Sequence, residues 1–199
     1  MLVMANTGHS FHLLRIEKRS GWPHFEHLFL RKFSMTVQIG WRGTTVDVLG
    51  NLPAVGEKAP AFILTADDLD EISLLDFAGQ KLVLNIFPSI DTPTCATSTR
   101  RFNEELAALE NTVVLCVSAD LPFAQKRFCG SEGLDRVKTA STFRSTFSDD
   151  YGVTVLTGIR RGLTARAVVV IDVDGIVKHV ELVKEVSTEP DYAAALAAL

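Results

Sequence analysis

The stretch FPSIDTPTCATSTRRF, Phe87 to Phe102, sets one cysteine in a run of prolines, threonines and an aspartate. A dense apolar run, KLVLNIF, precedes it, and NEELAALE, helical in character, follows. Cys95 therefore stands where a strand hands over to a helix. A thiol there is either a small packing residue or a placed nucleophile. Packing has support: Cys95 is seven residues before Phe102, on the same helical face, and free cysteine is among the most buried residue types. Three features favour the nucleophile. In the first turn of a helix, unpaired N–H groups and the positive end of the dipole stabilise a thiolate. Ser89, Thr92 and Thr94 supply hydroxyls that can donate to an anion or a polar substrate, with Thr92 or Thr94 as the helix cap. Pro88 and Pro93 stiffen the loop that carries them.

Two further cysteines have different surroundings. Cys116 lies inside TVVLCVSA among apolar neighbours and reads as a buried, inert thiol. Cys129 ends a short helix beside Lys126 and Arg127. The sequence predicts partial exposure in a positive local field, which favours thiolate reactivity; a half-buried cysteine without a role is the alternative. After residue 34 the only histidine is His179, so a cysteine hydrolase lacks its activating base. The same shortage leaves a metal site without ligands, and no C-x-x-C occurs. Arg166 opens RAVVVID. An arginine at the end of a core strand either snorkels to the surface or reaches over the sheet end to the thiolate, holding it and orienting a substrate oxygen. Arg100 and Arg101 read as solvated helix charges.

These residues need a scaffold, and the pattern of elements supplies one. TVQIGW and TTVDVL flank Arg42-Gly43 as a β-hairpin. Short strands are expected near 61–64 and 71–75. Residues 81–87 form a continuous apolar run, the mark of a central strand covered on both faces. A helix is expected over 95–109, its apolar stripe made by Phe102, Leu106 and Leu109. A buried strand follows at 112–118. A short helix covers 122–130, with Pro at its first turn and Gly after its end. Strands at 166–173 and 176–183 meet at Asp174-Gly175, and a helix over 190–199 closes the chain. Strand–helix–strand–helix, then a hairpin and a last helix, predicts an α/β, thioredoxin-like fold: a central mixed sheet, flanking helices and an N-terminal hairpin.

The bulk composition narrows the function further. The chain has 199 residues, 47% of them hydrophobic, enough for one domain with a substantial core. A formal net charge of −4 gives no basic face for nucleic acid. No apolar run is long enough to span a bilayer. Residues 1–34 differ in character: five Lys/Arg against two Asp/Glu, and four of the five histidines (His9, His12, His24, His27). They read as an N-terminal extension, disordered or upstream of the natural start, with Met35 as an alternative start; the domain proper covers 35–199. Three cysteines are no secreted disulfide framework. A reducing, cytoplasmic compartment is expected.

PSIDTPTC matches the pattern P-x-x-x-T-x-x-C of the peroxiredoxins, at Pro88, Thr92 and Cys95. With LNIFPSIDTPTCATSTRRFN, CVSADLPFAQKRFCGSEGL, STFR, ARAVVVID and TEPDYAAAL, residues 35–199 resemble the thiol peroxidase group of that family, of the atypical two-cysteine type. The resemblance implies a thioredoxin fold and reduction of hydrogen peroxide and organic hydroperoxides, without a cofactor or metal. It implies Cys95 as the peroxidatic cysteine and Cys129 as the resolving one. Thr92 and Arg166 would complete the active site, Pro88 would shield it, and Cys116 would have no catalytic role. A redox-active Cys95–Cys129 disulfide, thioredoxin as electron donor and a homodimer are implied as well. A redox-signalling module would use the same residues; sustained turnover with thioredoxin separates the two.

Overall fold

The computed structural model describes residues 2–6, 11–15, 36–105 and 109–199. The chain divides into two units, Met1–Phe33 and Ser34–Leu199. In the first, β1 (Leu2–Asn6) pairs antiparallel with β2 (Phe11–Arg15), Leu2 opposite Arg15. The expected extension over 1–34 falls largely outside the described residues, and Met35 lies outside them.

The second unit opens with the expected hairpin, β3 (Val37–Trp41) and β4 (Thr44–Val48). Arg42 and Gly43 have φ of 51° and 79°, the pair of positive values that a tight two-residue hairpin turn needs. Ile39, Trp41, Val46 and Val48 pack on Val155, Ala165 and Val186. Gly40 exchanges backbone bonds with the 184–186 segment: its N–H donates to Lys184 O (2.7 Å), and Val186 N–H donates to Gly40 O (3.0 Å).

The main sheet holds β5 (Ile63–Ala66), β6 (Glu71–Ser73), β7 (Lys81–Ile86), β8 (Thr112–Ser118), β9 (Lys138–Ser141), β10 (Ala167–Ile171) and β11 (Val177–Leu182). Their order is β11-β10-β7-β8-β9-β5-β6. β7, β8 and β9 run parallel; the other pairings are antiparallel, so the sheet is mixed. Helix α1 (Pro93–Glu105) joins β7 to β8, and α2 (Pro122–Glu132) joins β8 to β9. α3 (Phe147–Asp150) and α4 (Tyr192–Ala197) complete the set.

The apolar run of β7 follows from cover on both faces. Leu82, Leu84 and Ile86 point into one core with Leu115, Val117, Phe147 and Tyr151. Val83 and Phe87 point into the other, with Cys95, Phe102, Val114 and Tyr192. Asn85 interrupts the second face as a buried polar residue. It is satisfied there: Ser98 Oγ donates to its Oδ1 at 3.0 Å.

Several expected bounds shift. α1 starts at Pro93, two residues earlier than expected, and Phe102 is its fully buried anchor. Leu109 does not continue the stripe: it is 41% exposed, and Leu106 lies outside the described residues. The chain has to turn before β8, and it does so at Asn111, whose φ is 54°. α2 runs to Glu132, with Gly133 as its left-handed cap; Gly130 stays inside the helix. Strand β9 and helix α3 are additions to the expected elements. Among the described residues no helix is long and apolar enough to cross a membrane.

Candidate active site

The start of α1 is built by its own residues. The carbonyl of Thr92 accepts from Ala96 N–H at 2.9 Å, which puts Thr92 at the cap position by its backbone. Pro93 takes the first helical position, where a missing N–H costs nothing. The Thr92 side chain does not cap the helix. Its Oγ1 lies 2.7 Å from Cys95 Sγ and 3.1 Å from Ser89 O. A hydroxyl has one proton, so it donates to one of these acceptors at a time. Thr94, the other expected cap, sits two residues too far along and donates to Ser187 O at 3.1 Å.

Arg166 immediately precedes β10 and is 1% exposed, so it does not snorkel to the surface. Its Nε donates to Val186 O at 3.0 Å, and its Nη2 donates to Cys95 Sγ at 3.3 Å. Among the described residues no carboxylate forms an ion pair with it. A buried cation without a counter-charge is costly, and the Cys95 sulfur is the neighbouring group able to supply one. Two donors, one from the loop before α1 and one from the residue that precedes β10, thus converge on a single sulfur. Arg166 Nη1 is buried and has no hydrogen-bond partner among the described residues.

The same face opens into a cleft of about 270 Å³ lined by Trp41, Pro88, Thr92, Thr94, Arg166 and Val186, among others. Cys95 itself is 0% exposed, in the core below it. The structure therefore brings Pro88, Thr92, Cys95 and Arg166 together.

Asp120, which the sequence reading passed over, fixes the loop before the cysteine. Its carboxylate accepts from Ser89 Oγ (2.8 Å), Ile90 N–H (2.7 Å) and Ser118 Oγ (2.7 Å). Its backbone carbonyl accepts from Ser141 Oγ. One residue thus ties the Pro88–Thr92 loop to the ends of β8 and β9, just before α2 begins. An aspartate between a strand end and Pro122 was the available signal, but a lone aspartate in a loop reads equally well as a surface charge.

The other thiols contrast with Cys95. Cys116 is fully buried, and burial pushes its thiol up to about 12, against weaker opposing hydrogen bonds from Asn85 and Thr99. Asn85 Nδ2 lies 3.5 Å from its sulfur. Cys129 is half-buried, and the charge that acts on it is acidic rather than the expected positive field. Burial, and then the Asp67 carboxylate, raise its thiol above the ordinary value. The reason is geometric: Arg127 turns to Asp91, 3.0 and 3.2 Å away, while Cys129 lines a pocket with Asp67, Asp68 and Asp135. The cysteines are free thiols, and Cys129 does not line the cleft above Cys95. Arg100 and Arg101 are half-exposed but not free: they pair with Glu132 (2.7 Å) and Glu105 (2.6 Å).

Known proteins resemble this chain in sequence and in fold. The family model named Redoxin matches residues 54–196. Over 162 residues the chain is 58% identical to a thiol peroxidase of Mycobacterium tuberculosis, covering 81% of this chain and 98% of that protein. Over 159 residues it is 54% identical to a thiol peroxidase of Corynebacterium glutamicum, covering 80% and 96%. Among solved structures, a peroxiredoxin-like protein from Aquifex aeolicus superimposes with a TM-score of 0.76 at 38% identity, covering 81% of this chain and 95% of that one. A thiol peroxidase from Chromobacterium violaceum shares the fold, with a TM-score of 0.74 at 22% identity over 80% and 93% of the two chains. The chain belongs to the redoxin family, in the thiol peroxidase group of the peroxiredoxins.

Proposed function

We propose that this chain is a thiol-dependent peroxidase in which Cys95 reduces hydrogen peroxide and organic hydroperoxides and Cys129 resolves the product. The observation that carries the reading is the convergence of Thr92 and Arg166 on Cys95 Sγ, at 2.7 and 3.3 Å. Both donors stabilise an anionic sulfur, the nucleophilic form of a thiol.

Cys95 thiolate attacks the terminal oxygen of the hydroperoxide. An S–O bond forms, the O–O bond breaks, and the leaving alkoxide or hydroxide takes up a proton as alcohol or water. Arg166 Nη1, buried and without a partner among the described residues, is the donor left for that oxygen as charge develops on it. Pro88 shields the site from bulk water. Cys129 sulfur then attacks the sulfenic sulfur. An S–S bond forms, the S–O bond breaks, and water leaves. A dithiol partner, thioredoxin, returns both thiols by exchange.

Resolution requires movement. Cys95 is sealed in the core side of α1, and Cys129 opens onto a different pocket. Burial and then Asp67 raise the Cys129 thiol above its ordinary value; because the two sulfurs face different surroundings, the first turn of α1 has to unwind before they meet. We place the enzyme in the cytoplasm, where thiols are kept reduced. A homodimer belongs to the same proposal; Leu121 and Phe123, at the start of α2, are apolar and exposed, surface that a second copy would cover.

Cys129→Ser tests the resolving role. It is expected to leave the first oxidation of Cys95 intact and to lower thioredoxin-coupled turnover by at least about 100-fold, since no second thiol completes the exchange. A stopped-flow burst of one equivalent followed by arrest is the expected trace. Sustained turnover at the parent rate would remove Cys129 from the mechanism.

A further inference from the structure

The cleft above Cys95 carries more positive charge than a small neutral peroxide needs. Arg42, Arg160 and Arg166 line it. Its one lining carboxylate, Asp91, faces Arg127 across 3.0 and 3.2 Å. Among the described residues neither Arg42 nor Arg160 has a carboxylate in ion-pair range. Arg160 is also held in place. Its guanidinium lies over the Trp41 ring, 4.8 Å from the centroid, an arrangement that fixes the plane of a cation while leaving its N–H edge free to donate. Trp41 is fixed in turn by the hairpin core, 7% exposed. Leu163 and Val186 add apolar lining to the same cleft. The cleft thus offers a buried guanidinium beside the reactive sulfur, apolar lining, and a second guanidinium on Trp41 that no carboxylate pairs among the described residues.

We infer that Arg160, stacked on Trp41, is the specificity element of an outer subsite that binds the carboxylate of an anionic organic hydroperoxide while the peroxide end sits at Arg166 and Cys95. This rests on the peroxidase reading above and extends it to a substrate class. The chemistry of the steps is unchanged: Arg160 binds the remote end and takes no part in the electron or proton movements. A remote ionic contact formed in both ground and transition states lowers KM and leaves kcat alone. The Glu185 carboxylate accepts from Arg42 N–H at 3.1 Å and offsets the charge of Arg42 at the hairpin tip, so the subsite rests on Arg160.

The test uses cumene hydroperoxide, its para-carboxylate and the methyl ester of that carboxylate, with the thioredoxin-coupled full-length protein. In the parent enzyme the carboxylate is expected to exceed the ester in kcat/KM by roughly tenfold, as a charge-assisted contact gives. The difference should lie in KM, and it should shrink as ionic strength rises past the point where surface charges are screened. Arg160→Gln should bring the carboxylate-to-ester ratio close to one. Equal values for the two substrates in the parent enzyme overturn the inference, and so does an Arg160→Gln variant that keeps the parent ratio. If that variant does not fold, the salt series on the parent decides: a ratio insensitive to salt overturns the subsite. Failure of the parent enzyme to consume cumene hydroperoxide at all would instead strike the peroxidase reading.

Discussion

Replacing Cys95 by Ser is expected to abolish peroxide consumption, lowering the rate by at least about 10³-fold, because a hydroxyl at this position is neither ionised nor a comparable nucleophile. The fold should tolerate the change. Serine is close in volume to cysteine, and Thr92 Oγ1 and Arg166 Nη2 can both donate to its oxygen as they do to the sulfur. Cys116→Ser is the matched control. It removes a thiol equally buried, but one whose charged form is suppressed by its surroundings. Peroxide consumption in that variant should stay within about twofold of the parent, since the substituted group makes no contact with the cleft. Equal loss in both variants, or retained turnover without Cys95, would contradict the assignment.

Arg166→Gln should have the second-largest effect. Removing a donor aimed at developing charge typically costs about 10²-fold or more, and here the same residue also faces the nucleophile. The second-order rate with hydrogen peroxide is expected to fall by about 10²- to 10³-fold. Arg166→Lys should recover only part of the rate. A lysine ammonium keeps the charge but loses the planar fork that reaches Val186 O and Cys95 Sγ together. Full activity in Arg166→Lys would show that charge alone matters.

Much of the fold was legible in the chain because local chemistry and global burial agree there. KLVLNIF reads as a central strand since both faces of β7 meet core. Arg42-Gly43 reads as a turn since its backbone needs two positive φ values. The failures are places where distant contacts outweigh local pattern. Lys138–Ser141 is four residues of lysine, small and hydroxyl side chains; it is strand because β8 and β5 pair with it on either side. Leu109 continues the apolar spacing of α1 but faces solvent, as the chain is already turning toward β8.

The site divides in the same way. Pro88, Thr92 and Cys95 share one short segment, so their spacing could be read directly. Arg166 was visible only as a charge out of place at the end of an apolar strand. Its hold on Val186, the clamp of Asp120 on Ser89 and Ile90, and the stacking of Arg160 on Trp41 all join residues far apart in sequence. The field at Cys129 was misjudged for that reason. Lys126 and Arg127 are its sequence neighbours, but Asp67, contributed from the loop after β5, is its electrostatic one.

The central claim is that Cys95 and Cys129, and not Cys116, exchange oxidation. Peptide mass spectrometry after one equivalent of hydrogen peroxide, with free thiols alkylated at once, tests it most directly. The account predicts a Cys95–Cys129 bridge within a single chain and an alkylated, reduced Cys116. A bridge from Cys95 to Cys116, or to a second chain, would contradict it.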